Sequence, residues 1–128
     1  VLEGICFHLR WMLECEDKKV KTSQTIRFVG GGALSPVTCQ MLSDITGRTV
    51  ETVENTKDVG SIGAAILVAV GCGAIADFDH VEQYIPVKER YEPDPKTRHI
   101  YDRNYKVFRR LYQNNKENFT ILNEGRSE

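Results

Sequence analysis

The sequence predicts an α/β fold, rich in helix and built on one short parallel βαβ unit. Three observations carry that prediction. A β-prone run, Ile26-Arg-Phe-Val29, ends in three consecutive glycines, Gly30 to Gly32. An apolar-faced helical pattern follows, opened by Ser35 and closed by Gly47. A second β-branched run, Thr49-Val-Glu-Thr-Val53, comes next. Strand, helix and strand in this order imply parallel strands and a right-handed crossover.

The elements can be justified in chain order. Leu2, Ile5, Cys6, Leu9 and Leu13 recur at helical spacing, and Met12 widens their stripe. The charged segment Glu14 to Lys21 closes that helix, and Thr22 to Gln24 is a polar break. After the first strand and the glycines, Ser35 is an N-cap with Pro36 at the first helical position, where a missing N–H costs nothing. Val37, Met41, Leu42 and Ile45 give this helix its apolar face, and Gly47 suits the left-handed residue after its end. Val59 to Gly71 reads as a small-residue helix, with Ile62, Ile66 and Val70 as its buried stripe. Gly71-Cys-Gly73 terminates it. Asp77 to Ile85 suggests a short capped helix, and Pro86, Pro93 and Pro95 mark an extended surface segment. Tyr101, Tyr105, Phe108, Leu111 and Tyr112 then form the aromatic side of a helix whose other side carries Arg103, Lys106, Arg109 and Arg110. Residues 113–128 read as a frayed tail. Only two strands are evident, too few for a stable sheet, so a third element is hidden or the sheet is completed elsewhere.

Composition bounds the function. The chain has 128 residues, 17 Lys+Arg, 18 Asp+Glu and a net charge of −1. Hydrophobic residues make up 41% and charged residues 27%, a globular rather than disordered composition. Near-neutral charge argues against a nucleic-acid partner held by a basic surface. The small-and-apolar run Ile62 to Ala76 is broken by Gly63, Gly71 and Gly73, so no membrane span is expected. Val1 opens straight into a helical pattern with no signal peptide, which reads as a piece of something longer. Cys6, Cys15, Cys39 and Cys72 have no C-x-x-C spacing; Cys6, Cys39 and Cys72 are expected as free core thiols. Asn118 to Thr120 matches a glycosylation triplet by chance.

The informative segment is Gly30 to Ser35, at the carboxyl end of a strand and the start of a helix. Ligands of open α/β sheets bind there. Glycine permits close approach, and the helix start offers free N–H groups. The bland alternative is a tight turn. A P-loop lysine is missing, and Gly71-Cys-Gly73 follows a helix and lacks the dinucleotide fingerprint. His8, His80 and His99 lack metal-ligand spacing, and no serine lies in G-x-S-x-G. Asp44 is expected to be solvated or capping, Asp58 to cap the alanine-rich helix, and Asp77 and Asp79 to cap the short one. No catalytic residue and no metal ligand is assigned.

The ordered set Glu3-Gly-Ile-Cys-Phe7, Arg27-Phe-Val-Gly-Gly-Gly-Ala33, Gln40-Met-Leu-Ser-Asp44, Val59-Gly-Ser-Ile-Gly-Ala-Ala65 and the aromatic helix to Tyr112 resembles the carboxy-terminal part of the FGGY carbohydrate kinases, nearest the xylulokinase-like members. The resemblance implies an actin-like, ribonuclease-H-like ATPase fold of two lobes, with residues 1–112 belonging to the second. It implies ATP and Mg²⁺ as cofactors, a sugar such as xylulose as substrate, and a cytoplasmic location. By position, Gly31, Gly32 and Ala33 would line the nucleotide, and Ser35 and Pro36 would begin the helix beside the adenine. Glycerol kinases carry asparagine where Pro36 stands, so that contact is lost here. The family's catalytic aspartate, first phosphate loop and sugar pocket lie in an amino-terminal lobe that this chain would need as a partner. Alone, the chain is expected to be inactive. The alternative is a binding or assembly module, a homo-oligomer joined through unpaired sheet edges or a sensor of adenine nucleotide.

Overall fold

The computed structural model of the protein describes residues 1–125. Helix α1 spans Leu2–Asp17, strand β1 Thr25–Arg27, helix α2 Pro36–Thr46 and strand β2 Thr49–Val53. Helix α3 (Val59–Gly71), strand β3 (Val87–Tyr91), helix α4 (Arg98–Asn114) and helix α5 (Lys116–Asn123) follow. Single 3₁₀ turns occupy Gly31–Leu34 and Val81–Tyr84.

The expected βαβ unit is present. β1 and β2 run parallel, pairing Thr25 with Thr49 and Arg27 with Glu51. The hidden third element is β3, which lies antiparallel to β2, giving the order β1-β2-β3. It occupies the start of the segment expected to be extended surface chain. Its alternating charges, Lys88, Glu89 and Arg90, conceal it from a pattern search because the whole strand is exposed except half-buried Tyr91.

Helices α1, α2 and α4 close the core. Cys6, Phe7, Cys39, Leu42, Ile45, Val50 and Tyr105 form one buried cluster. Phe7 meets the Tyr105 and Phe108 rings with centroids 6.0 and 5.6 Å away. The buried faces are rotated from the expected stripes. Leu2 and Ile5 are exposed while Phe7 is buried, and Val37 is exposed while Cys39 is buried. Each helix meets its neighbours along one narrow line, which a broad apolar stripe overstates. Polar bonds lock the arrangement. Arg10 of α1 donates from Nη1 to Asp102 Oδ1 of α4 (2.7 Å) and to the Ile45 carbonyl of α2 (3.1 Å).

Several local expectations change. α3 is helical as expected, but of its stripe only Ile66 is buried, with Ile62 and Val70 half-buried. Among the described residues α3 packs extensively against no other element. Asp58 sits at its N-cap, yet its side chain makes no capping bond. The helix over Asp77 to Ile85 shrinks to the turn Val81–Tyr84, preceded by His80 at φ 65°. There Asp77 accepts from the Asp79 N–H instead of capping a helix. The tail expected to fray is helical over Lys116–Asn123, because Phe119 stacks on Tyr112 at 6.0 Å; residues 126–128 lie outside the described residues. Cys72, expected in the core, is exposed at the end of α3, as is Cys15, while Cys6 and Cys39 are buried free thiols.

The glycine turn as a candidate nucleotide site

The turn is built by position. β1 ends, and the Phe28 N–H still donates to the Glu51 carbonyl (2.9 Å). Gly30 then takes φ 87° and ψ −165°, a backbone region open essentially to glycine alone. Its N–H donates to both the carbonyl and the hydroxyl of Thr56, at 3.1 and 3.0 Å. The chain winds into the 3₁₀ turn, and the Ser35 hydroxyl accepts from the Thr38 N–H at 3.3 Å. Pro36 opens α2 and Gly47 closes it at φ 70°, both as expected.

The five sequence-assigned residues separate into different roles. A side chain added at Gly32 would press its Cβ to 2.8 Å from the Phe28 ring, so this glycine answers to packing. At Gly31 nothing lies within 4 Å of an added Cβ. Its upper side is open, which is what approach by a ligand needs. Ala33 is buried, and its carbonyl accepts from the Cys39 thiol at 3.6 Å. Burial, with the Glu89 carboxylate nearby, pushes that thiol's pKa up, so it stays a protonated donor beneath the turn. Ser35 is committed to its cap.

Ala33 and Pro36 border a hollow of about 340 Å³. The structure brings to it Thr56, Lys57 and Asp58 from the turn after β2, and Lys88 and Glu89 from β3. Gly31, Gly32 and Ser35 do not line it. The register slips between Thr52 and Val53, leaving Lys88 as the extra residue of a β-bulge, a device that re-aims a side chain. Among the described residues neither Lys57 nor Lys88 has an ion-pair partner. The two lysines share the hollow with three carboxylates, Glu54, Asp58 and Glu89, so its lining carries both signs of charge. Sequence reasoning missed both lysines. One lies in a turn, and the other lies on a strand that was not legible.

Asp44, expected to be solvated or capping, is buried at 7% exposure. It accepts from Gln40 Nε2 and from the Asp94 N–H, both at 2.8 Å, and so ties the proline-rich segment to α2. Among the described residues, no group of three or more His, Cys, Asp or Glu is placed to hold a metal ion. No helix among the described residues is long and apolar enough to cross a membrane.

The profile of the FGGY family of carbohydrate kinases, C-terminal domain, matches residues 1–72. That stretch holds α1, the glycine turn, the βαβ unit and α3. The chain belongs to the FGGY carbohydrate kinases. It is 34% identical over 121 residues to the xylulose kinase of Lactococcus lactis, covering 91% of this chain and 24% of that protein. It is 28% identical over 127 residues to the Bacillus subtilis xylulose kinase. The crystal structure of xylulose kinase from Rhodospirillum rubrum superposes with a TM-score of 0.79 at 28% identity, over 93% of this chain and 24% of that one. Gluconate kinase from Lactobacillus acidophilus superposes at 0.80 with 23% identity, a likeness of fold alone. The α/β architecture is thus part of the actin-like fold of these kinases. The chain spans about a quarter of the length of the FGGY relatives it matches.

Proposed function

We propose that this chain is the carboxy-terminal part of an ATP-dependent FGGY kinase acting on a ketopentose such as xylulose, and that it forms one wall of the nucleotide cleft. The family match over the glycine turn carries the reading, together with the open side of Gly31. In the intact cytoplasmic enzyme, an amino-terminal lobe would supply the catalytic base and the sugar pocket. Phosphoryl transfer chiefly needs positioning and neutralised charge. Here Gly30 fixes the turn, Gly31 leaves room for the nucleotide, and Lys57 and Lys88 are the cations of the adjoining hollow bordered by Ala33 and Pro36. Mg²⁺ would neutralise phosphate charge in the whole enzyme; the residues described here do not form its site.

The half-site predicts weak binding and no turnover. ATP should bind the chain in the millimolar range or weaker, roughly −4 kcal/mol, as read by titration calorimetry. Xylulose added with ATP should yield no ADP. Sugar-dependent ADP release by the chain alone would contradict its role as one wall of a divided site.

A second reading, an assembly module, is favoured by α3, where Leu67 and Val68 are 62% and 69% exposed. The sheet edges support it less. β1 has three residues, and β3 presents charged side chains, which resist edge pairing. Size-exclusion chromatography over a concentration series distinguishes the readings: a monomer throughout removes the second.

A further inference from the structure

The glycine turn is tied to the rest of the chain through one residue. Among the described residues, the hydrogen bonds of Gly30 to Ser35 stay between residues 30 and 39, with one exception. The exception is the Gly30 N–H, which Thr56 accepts twice, by its carbonyl at 3.1 Å and by its hydroxyl at 3.0 Å. One N–H shared between two acceptors is a three-centre bond. Two acceptors fix the direction of the N–H as well as its distance. Direction matters at Gly30, which sits at φ 87° and ψ −165° with no side chain to restrain it. With either acceptor gone, the N–H swings towards the other, and the backbone leading into Gly31 turns with it.

Thr56 is itself a fixed anchor. It lies in the turn between β2 and α3 and is 8% exposed. The Glu54 N–H donates to the Pro86 carbonyl at 3.0 Å, which pins the start of that turn beside β3. Asn55 takes φ 50°, and the Asp58 N–H closes the turn on the Asn55 carbonyl at 2.7 Å. The branched Cβ of Thr56 restricts χ1, so little side-chain freedom is lost in presenting the hydroxyl. Thr56 also borders the hollow beside Ala33 and Pro36. One residue thus touches both the turn and the hollow. We propose that Thr56 is a positioning residue for the nucleotide. Its hydroxyl orients Gly30 so that the open side of Gly31 meets the ligand, a role that rests on the nucleotide reading of the turn.

Thr56→Val keeps the side-chain shape and the carbonyl and removes only the hydroxyl. ATP is titrated into the nitrogen-labelled chain, and the movement of the Gly31 amide signal is followed. Its initial slope against ATP concentration should fall about fivefold in Thr56→Val and return in Thr56→Ser. The urea midpoint should barely move, because the Thr56 carbonyl still satisfies the Gly30 N–H. A merely structural hydroxyl gives the opposite split, a lower midpoint with an unchanged ATP response. That result would overturn the proposal, as would a Thr56→Val chain that fails to fold or a Thr56→Ser chain that responds no better than Thr56→Val. Equal responses from the unaltered chain and Thr56→Val would leave the nucleotide reading standing and remove the role of Thr56 alone. No ATP response at Gly31 in the unaltered chain would remove the nucleotide reading, and the role of Thr56 with it.

Discussion

Adjacent glycines in the turn carry opposite demands. Gly30 holds a backbone conformation that other residues enter only with strain, and its N–H is already spent on Thr56. Gly30→Ala should therefore destabilise the chain by about 1–3 kcal/mol in urea unfolding. Gly31 sits in an ordinary helical turn with open space above it. Gly31→Ala should leave stability unchanged or raise it by about 0.5 kcal/mol, through the stiffer unfolded chain. A triple glycine was legible in the sequence, but the division of labour within it was not. It depends on Phe28 lying under Gly32 and on nothing lying over Gly31. Tyr105 supplies a second residue-scale prediction. Burial first, and then its hydrogen bond to Glu14 (2.7 Å), push its hydroxyl up to about 12, against opposing charge from Arg109 and Arg10. The unfolded tyrosine ionises near 10, so its stabilising contribution is whole below pH 10 and is lost as pH rises towards 12. Tyr105→Phe should flatten that alkaline fall in stability.

The helices are held together by few, well-placed polar groups. Arg10 bonds Asp102 and the Ile45 carbonyl, pairs with Glu14 at 3.1 Å, and lies 4.2 Å from the centre of the Tyr105 ring. Its removal unties α1 from both α2 and α4. Arg10→Ala should cost about 2 kcal/mol, and Arg10→Lys should recover only part of it because one ammonium cannot reach three directions. Burial pushes the Asp102 carboxyl up, but the hydrogen bond from Arg10 and the charges of Arg98 and Arg10 more than offset this and hold it below 3.8. That stabilisation is present above the unfolded value and fades as pH falls through the lower folded one. The helices with strong punctuation were legible. Ser35, Pro36 and Gly47 set the bounds of α2 by local chemistry. β3 was not, because a strand exposed along nearly its whole length has no apolar alternation to show. The segment Asp77 to Ile85 misled in the other direction, since Asp77 turns the chain on itself before a helix can start.

The whole chain closes a core on one side and leaves apolar surface on another. α1, α2, α4 and the sheet bury one cluster, whereas α3 stays largely uncovered. Val68→Glu should leave the unfolding midpoint within about 0.5 kcal/mol of the original and reduce any self-association seen by light scattering. The chain spans about a quarter of the length of the Lactococcus lactis and Bacillus subtilis xylulose kinases it matches. Lys57, from the turn after β2, and Lys88, from β3, come together beside Ala33 and Pro36 only in the fold, so neither was legible in the sequence. The central claim is that the glycine turn faces a nucleotide. Titrating ATP into the nitrogen-labelled chain and following its backbone amides tests this directly. The account predicts that the signals of Gly31, Gly32, Ala33, Thr56 and Lys57 move together at millimolar ATP, and that Gly31→Val stops the movement without unfolding the chain. Shifts confined to other residues, or a turn that stays still while ATP binds, would contradict it.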